Sequence, residues 1–262
     1  MEAVKIYKAV RLLLLCAIFA AAFSSVSACA SLNEENKGVA VDRDMVWSAY
    51  DGLRREIFFS TQKKGGAWSE PAQLTNSNAD NLLPCIVSAP DGKKYVVWTA
   101  MEDTRLNVMY AVFDGAAWSE PANIPGVPEN TTMPFVAADD NGVLWLVLAG
   151  NDGAGQDDVY SIRLQNGQWS KALTVNSSND VPDVNPFIEI ARNGVIQVTW
   201  EGFRNNDYTL LNSQWQGDRW SEEQPLPQED REKMRQERKK TEEEVLPEFV
   251  QDRSMLFIRS NN

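Results

Sequence analysis

Histidine is absent from the chain, and only three cysteines occur in its 262 residues. The first absence removes the side chain that most often moves protons near neutral pH. It leaves no histidine-containing zinc site and no histidine to activate a serine or cysteine nucleophile. The scarcity of cysteine excludes an internal disulfide framework: Cys16 lies in an N-terminal apolar run, Cys29 just beyond it, and Cys85 alone in the remainder. Cys85 follows Pro84 at the head of an apolar stretch and reads as a small buried hydrophobe. A Walker loop and a Gly-x-Ser-x-Gly elbow are missing too, so the sequence gives no signal for nucleotide binding or serine hydrolysis. No cofactor is implied.

Long apolar runs are equally scarce. Residues 12–23 form a stretch of twelve, short of the roughly 20 residues that a membrane-spanning helix needs. Lys5, Lys8 and Arg11 precede this stretch and Val26-Ser27-Ala28-Cys29 follows it, the order of an export signal. The hydrophobic-small-small-Cys box resembles the lipobox of bacterial lipoproteins. It implies a signal over residues 1–28, acylation of Cys29, a polar tether over residues 29–38, and anchoring to the bacterial outer membrane or cell surface. Simple secretion, with cleavage after Ala28 or Ala30, is the alternative.

Residues 1–28 carry three positive charges and one negative, so their loss takes the formal charge from −12 to −14. Such an acidic domain does not suit nucleic acid or anionic lipid as a partner. Membrane contact is therefore expected through the lipid alone.

What the chain does have is a repeat. Trp68-Ser69-Glu70-Pro71, Trp118-Ser119-Glu120-Pro121, Trp169-Ser170-Lys171-Ala172 and Trp220-Ser221-Glu222-Glu223 place their tryptophans 50, 51 and 51 residues apart. Pro84, Pro134, Pro186 and Pro247 each open an apolar run, and Asp91-Gly92, Asn141-Gly142 and Asn193-Gly194 follow the first three at a constant seven residues. Those dipeptides favour the positive φ of tight hairpins. The runs around them, such as Tyr95-Val96-Val97-Trp98 and Val143-Leu144-Trp145-Leu146-Val147, are dense in β-branched and aromatic residues. Short strands recurring at this period predict an all-β chain over residues 39–262, a β-propeller of four to five four-stranded blades. A large ring at the same place in each unit is expected to pack between blades.

The ends and one insertion break the pattern. Residues 39–48 and 250–258 resemble each other, and both read as the first two strands of a unit. Residues 228–244 are charged, with Glu229 and Lys233 at i,i+4 spacing and Met234 as the lone apolar residue of the segment. They predict a solvated helical insertion.

The glycine shortly before each Trp-Ser, combined with proline, strand, Asp/Asn-Gly and strand, resembles the sialidase-type (BNR, or Asp-box) propeller repeats of bacterial exported proteins. The resemblance covers roughly residues 39–260 and implies the fold. The Asp-box itself runs Ser-x-Asp-x-Gly-x-x-Trp, and this chain departs from it: Asp114 lies four residues before Trp118 rather than five, and the other units lack that aspartate. An Arg-Ile-Pro phrase, source of a catalytic arginine in the family, is absent as well. Sialidase activity is not implied, since fold does not fix function.

Alternating strand direction sorts the connections into two ends. One end holds mostly tight turns. The other carries the longer polar loops, where binding is expected. Arg54, Arg105 and Arg204 fall in second-to-third-strand loops of three units, the first two of them seven residues past Trp47 and Trp98. They read either as surface charges and local salt-bridge partners or as a small basic spot suited to a carboxylate or sulfate of a glycan. Asp103 and Asp158 lie beside them, and the segment from Asn151 to Asp158 does not match a calcium-loop spacing. Two functions follow. The first is an envelope-anchored, non-catalytic propeller that binds a glycan or an envelope protein. The second is a glycan-processing enzyme with loop carboxylates such as Glu102, Asp103, Asp158 and Glu201 as acid and base.

Overall fold

A computed structural model describes residues 42–64, 66–151, 155–227, 229–230, 232 and 260–261. Their strands form four sheets, each made of consecutive antiparallel strands, with one further short strand added in parallel to the second. The first sheet is β1 (Arg43–Tyr50), β2 (Arg55–Gln62) and β3 (Ala72–Gln73); the second is β4 (Asp80–Ser88), β5 (Lys94–Glu102), β6 (Arg105–Phe113) and β7 (Ala122–Asn123). In the third, β8 (Thr132–Ala138), β9 (Leu144–Gly150) and β10 (Asp158–Gln165) are edged by β11 (Gln168–Trp169) and β12 (Leu173–Thr174), both on β10. The fourth is β13 (Asp183–Ile190), β14 (Ile196–Arg204), β15 (Asp207–Gln214) and β16 (Gln224–Pro225). Each sheet is one unit of the repeat, and the chain is a β-propeller.

Of residues 39–48, the first three lie outside the described residues. From Arg43 onward the segment is a single strand, β1, paired without interruption to β2 from Arg43 opposite Gln62 to Tyr50 opposite Arg55. No turn residue breaks Met45-Val46-Trp47-Ser48, so the hydrogen-bond ladder runs straight through. β1 therefore occupies the place of β5 and β14, each of which carries a tryptophan in the same half of the strand. Residues 250–258 lie outside the described residues. Beyond them β17 (Ser260–Asn261) pairs in parallel with Ile86 and Val87 of the second sheet. Of the charged insertion, Glu229, Asp230 and Glu232 are helical, and its other residues lie outside the described set.

The repeated phrases have repeated geometry. Gly92, Gly142 and Gly194 have φ of 83°, 77° and 79°, and each donates its amide three residues back, to the carbonyls of Ala89, Asp139 and Ala191. The Trp-Ser serine is a latch. Ser69, Ser119, Ser170 and Ser221 each donate a backbone amide to the third strand of the unit, at Thr61, Val112, Arg163 and Gln214. Their hydroxyls accept the amide of the same four residues at 3.0–3.1 Å. A serine at this point thus closes a two-bond ring that alanine cannot.

The tryptophans beside the second, third and fourth latches reach back to the preceding sheet. Trp118 meets Phe59 edge-on with 5.4 Å between centroids, Trp169 meets Tyr110 at 5.3 Å, and Trp220 meets Trp145 while donating its indole N–H to Ser161. Successive sheets are thereby stapled at their outer strands, with a continuous apolar core from Cys85 through Val147 to Leu211 inside. Arg163 lies between the Trp145 and Trp215 rings, at 5.1 and 4.9 Å, and adds cation–π contact to the same seam.

Candidate functional site: the loop-bearing end

The second-to-third-strand turns of each sheet and the first residues of the next sheet lie together. Ser48 at the end of β1 donates to the carbonyl of Asn81 at 2.6 Å, and the Arg55 amide donates to Asp80 at 2.9 Å. Thr99 of β5 accepts from the amide of Met133. At the third seam the Asp183 amide donates to the carbonyl of Asp157 at 2.7 Å. These bonds put all four turns at one end of the propeller.

Buried polar side chains hold the loops of this end. Thr75, Thr131 and Asn176 accept the amides of Ile57, Val108 and Val159, near the start of β2, β6 and β10. Glu56 is 1% exposed. It accepts from the Thr75 hydroxyl, the Ser77 amide and Asn81 Nδ2. Trp98 donates its indole N–H to Asn81, and Trp200 does the same to Asp183 at 2.8 Å. These carboxylates and amides satisfy loop backbone that would otherwise be buried without partners.

Asp183 is the centre of the network between the third and fourth sheets. Fully buried, it accepts from Trp200, Asn176, Asn179 and Arg204. Burial pushes its carboxyl above the usual range, while the hydrogen bonds of Asn179 and Trp200 and the Arg204 charge pull it down. Arg204 also pairs with Glu223 at 3.0 Å.

The five expected binding residues divide. Arg54 is exposed, and its backbone amide donates to Asp51. Asp103 and Arg105 share the exposed β5–β6 turn, with Asp103 at φ 55° and Arg105 facing Glu102 in register. Asp158 and Arg204 are instead joined through the buried network: Asn176 donates to both Asp158 and Asp183, and Asp183 accepts from Arg204. Arg204 is therefore committed to Asp183 and Glu223 and is not part of a free basic spot.

Sequence reasoning passed over the aromatic and apolar residues of the same turns. Tyr50 is 62% and Leu53 85% exposed in the β1–β2 turn, and Tyr208 is 38% exposed beside the β14–β15 turn. A tyrosine flanking a hairpin turn, where no core packing demands one, is the signal that points to them.

No family model and no curated protein matches the chain. Solved structures do. A protein of unknown function from Dyadobacter fermentans is 10% identical over 76% of this chain and 71% of its own, with a TM-score of 0.57. An α-L-arabinofuranosidase from Fusarium graminearum, in complex with an iminosugar inhibitor, is 14% identical over 73% and 66%, with a TM-score of 0.51. An endo-arabinase from Bacteroides thetaiotaomicron is 14% identical over 77% and 83%, with a TM-score of 0.48. At such identities the likeness is one of fold: this is a β-propeller of the kind on which glycan-processing enzymes are also built.

Proposed function

We propose that the chain is an envelope-anchored, non-catalytic propeller, sialidase-like in its repeats, that binds a glycan or protein partner through its loop-bearing end. The observation that carries this reading is the fate of the buried carboxylates there. Glycoside hydrolysis takes two carboxyl groups free to face a glycosidic bond. Glu56 and Asp183 instead spend their oxygens on the loops around them, Glu56 on Thr75, Ser77 and Asn81 and Asp183 on four donors. Exposed Arg54, Asp103 and Arg105, together with Tyr50 and Tyr208, supply a surface of mixed polar and aromatic character suited to binding. A glycan array run beside a panel of chromogenic glycosides tests the reading: retention of glycans, or capture of an envelope protein, without turnover is expected. Turnover that disappears in Glu201→Gln or Asp158→Asn sinks it and establishes the enzyme instead.

The anchor is Cys29, supported by the apolar stretch of residues 12–23 and the box Val26-Ser27-Ala28-Cys29. A fatty-acid probe fed to expressing cells is expected to label the wild-type chain and leave Cys29→Ser unlabelled. Equal labelling of both rules the anchor out.

A further inference from the structure

The first strands of the second, third and fourth sheets repeat one geometry, so each is a control for the others, and the fourth departs from it at one place. In β4, β8 and β13 the ladder shifts register at a bulge, between Leu82 and Cys85, Thr132 and Phe135, and Val184 and Phe187. The residue before the proline at each bulge has positive φ: Leu83 at 54°, Met133 at 55° and Asn185 at 54°. Bulges re-aim side chains, and such φ values in non-glycine residues persist only where the surroundings enforce them. In the second and third sheets the re-aimed side chain is apolar and buried. In the fourth it is the half-buried amide of Asn185, which donates from Nδ2 to Oε2 of Glu201 at 2.9 Å.

Glu201 follows Trp200 in β14. The residues in that position of β5 and β9, Thr99 and Ala149, are buried, whereas Glu201 is half-exposed. Asn185 occupies one of its oxygens; the other, Oε1, accepts nothing from any described residue. Phe203 lies two residues further along the same face, opposite Tyr208. The Phe203 and Tyr208 rings meet edge to face at 5.2 Å, which fixes the plane of a tyrosine ring that is partly open to water. Asn205 and Asn206, with φ of 53° and 63°, form the tight turn that brings the two rings together.

We propose that Tyr208, Glu201 and Asn185 form a subsite for an uncharged sugar ring. The C–H face of the sugar lies on the Tyr208 ring, and its hydroxyls donate to Oε1 of Glu201 and to the amide oxygen of Asn185. The subsite selects against anionic sugars. Burial, reinforced by the charges of Glu201, Asp157 and Asp183, pushes the Tyr208 hydroxyl above the ordinary tyrosine range. The guanidinium of Arg204 is neutralised by Asp183 and Glu223.

This subsite rests on the binding reading given above, and one experiment separates the two. Full-length chain in mild detergent is applied to an array of neutral oligosaccharides (arabinans, xylans, mannans) and acidic ones (sialylated, sulfated, uronate-bearing), beside a pull-down of envelope proteins. Neutral oligosaccharides are expected to be retained. Tyr208→Ala and Glu201→Gln are each expected to weaken that binding by about tenfold or more, with unchanged melting temperature, while Tyr208→Phe, which keeps the ring, stays within about threefold of wild type. Neutral-sugar binding that survives both Tyr208→Ala and Glu201→Gln overturns the subsite and leaves the binding reading standing. So does retention of acidic glycans alone, or capture of a protein with no glycan retained. A chain that captures neither glycan nor protein overturns both.

Discussion

Replacing Trp200 with alanine is expected to cost the fold about 3–5 kcal/mol, the range for truncating a buried aromatic. The ring is fully buried in the core shared with the third sheet. Its indole N–H is also one of the donors that hold the buried carboxyl of Asp183. Alanine therefore removes apolar contact and a hydrogen bond at once. Trp200→Phe separates the two contributions. It restores most of the volume but not the donor, and a loss of about 1–3 kcal/mol is expected for leaving a buried acceptor one partner short. Trp68, half-buried at the outer edge of the first sheet, is the comparison, and its alanine variant should cost less than Trp200→Ala. Denaturant midpoints at constant m-value decide the order. A Trp200→Ala cost under about 1 kcal/mol would mean that the sheets are not held together by this core.

That the core lies between sheets was legible from spacing alone. Tryptophans at a constant interval, each followed by serine, can satisfy the same contact in every unit only if the units are structurally equivalent, and Trp118, Trp169 and Trp220 do reach back to Phe59, Tyr110 and Trp145. The glycine turns were legible for the same reason, since their φ is a local property of the dipeptide. The bulges were not. A residue before proline is ordinarily extended, so the positive φ of Leu83, Met133 and Asn185 runs against the local rule and is imposed by the sheet.

The site divides along the same line. Exposure of Arg54, Asp103 and Arg105 follows from their place in turns. The commitment of Arg204 does not, because its partners Asp183 and Glu223 come from β13 and the β15–β16 connection, 21 and 19 residues away. Nothing in the sequence around Arg204 ranks those two carboxylates above Asp207, which is nearer along the chain. The pairing is decided by the bulged start of β13, which buries Asp183 beneath the arginine. Glu201 was legible only as one of several loop carboxylates; what singles it out is that its equivalents in β5 and β9, Thr99 and Ala149, are buried, which the sequence around it does not reveal.

Arg204→Ala is expected to destabilise the protein by about 3 kcal/mol, the lower end of the range for removing one partner of a buried pair. The lower end applies because the arginine side chain is 23% exposed and Asp183 keeps its neutral donors Trp200, Asn176 and Asn179. The loss should depend on pH in a direction that identifies its cause. Burial already raises the Asp183 carboxyl above its ordinary 3.8, against the pull of Arg204. Without the arginine the folded-state value rises further. A carboxyl whose folded pKa exceeds its unfolded one binds more protons folded than unfolded, so its contribution is fully present below the unfolded value and is lost as pH rises through the folded one. The variant should therefore lie closest to wild type in acid and fall progressively behind as pH increases towards neutrality. Adding Asp183→Asn to Arg204→Ala removes the titrating group, and the double variant should recover part of the stability at neutral pH and lose the pH dependence. Melting curves across that pH interval test both statements. A deficit in Arg204→Ala that is constant with pH, or a double variant less stable than the single one, would show that the arginine acts by packing and by its bond to Glu223 rather than by neutralising Asp183.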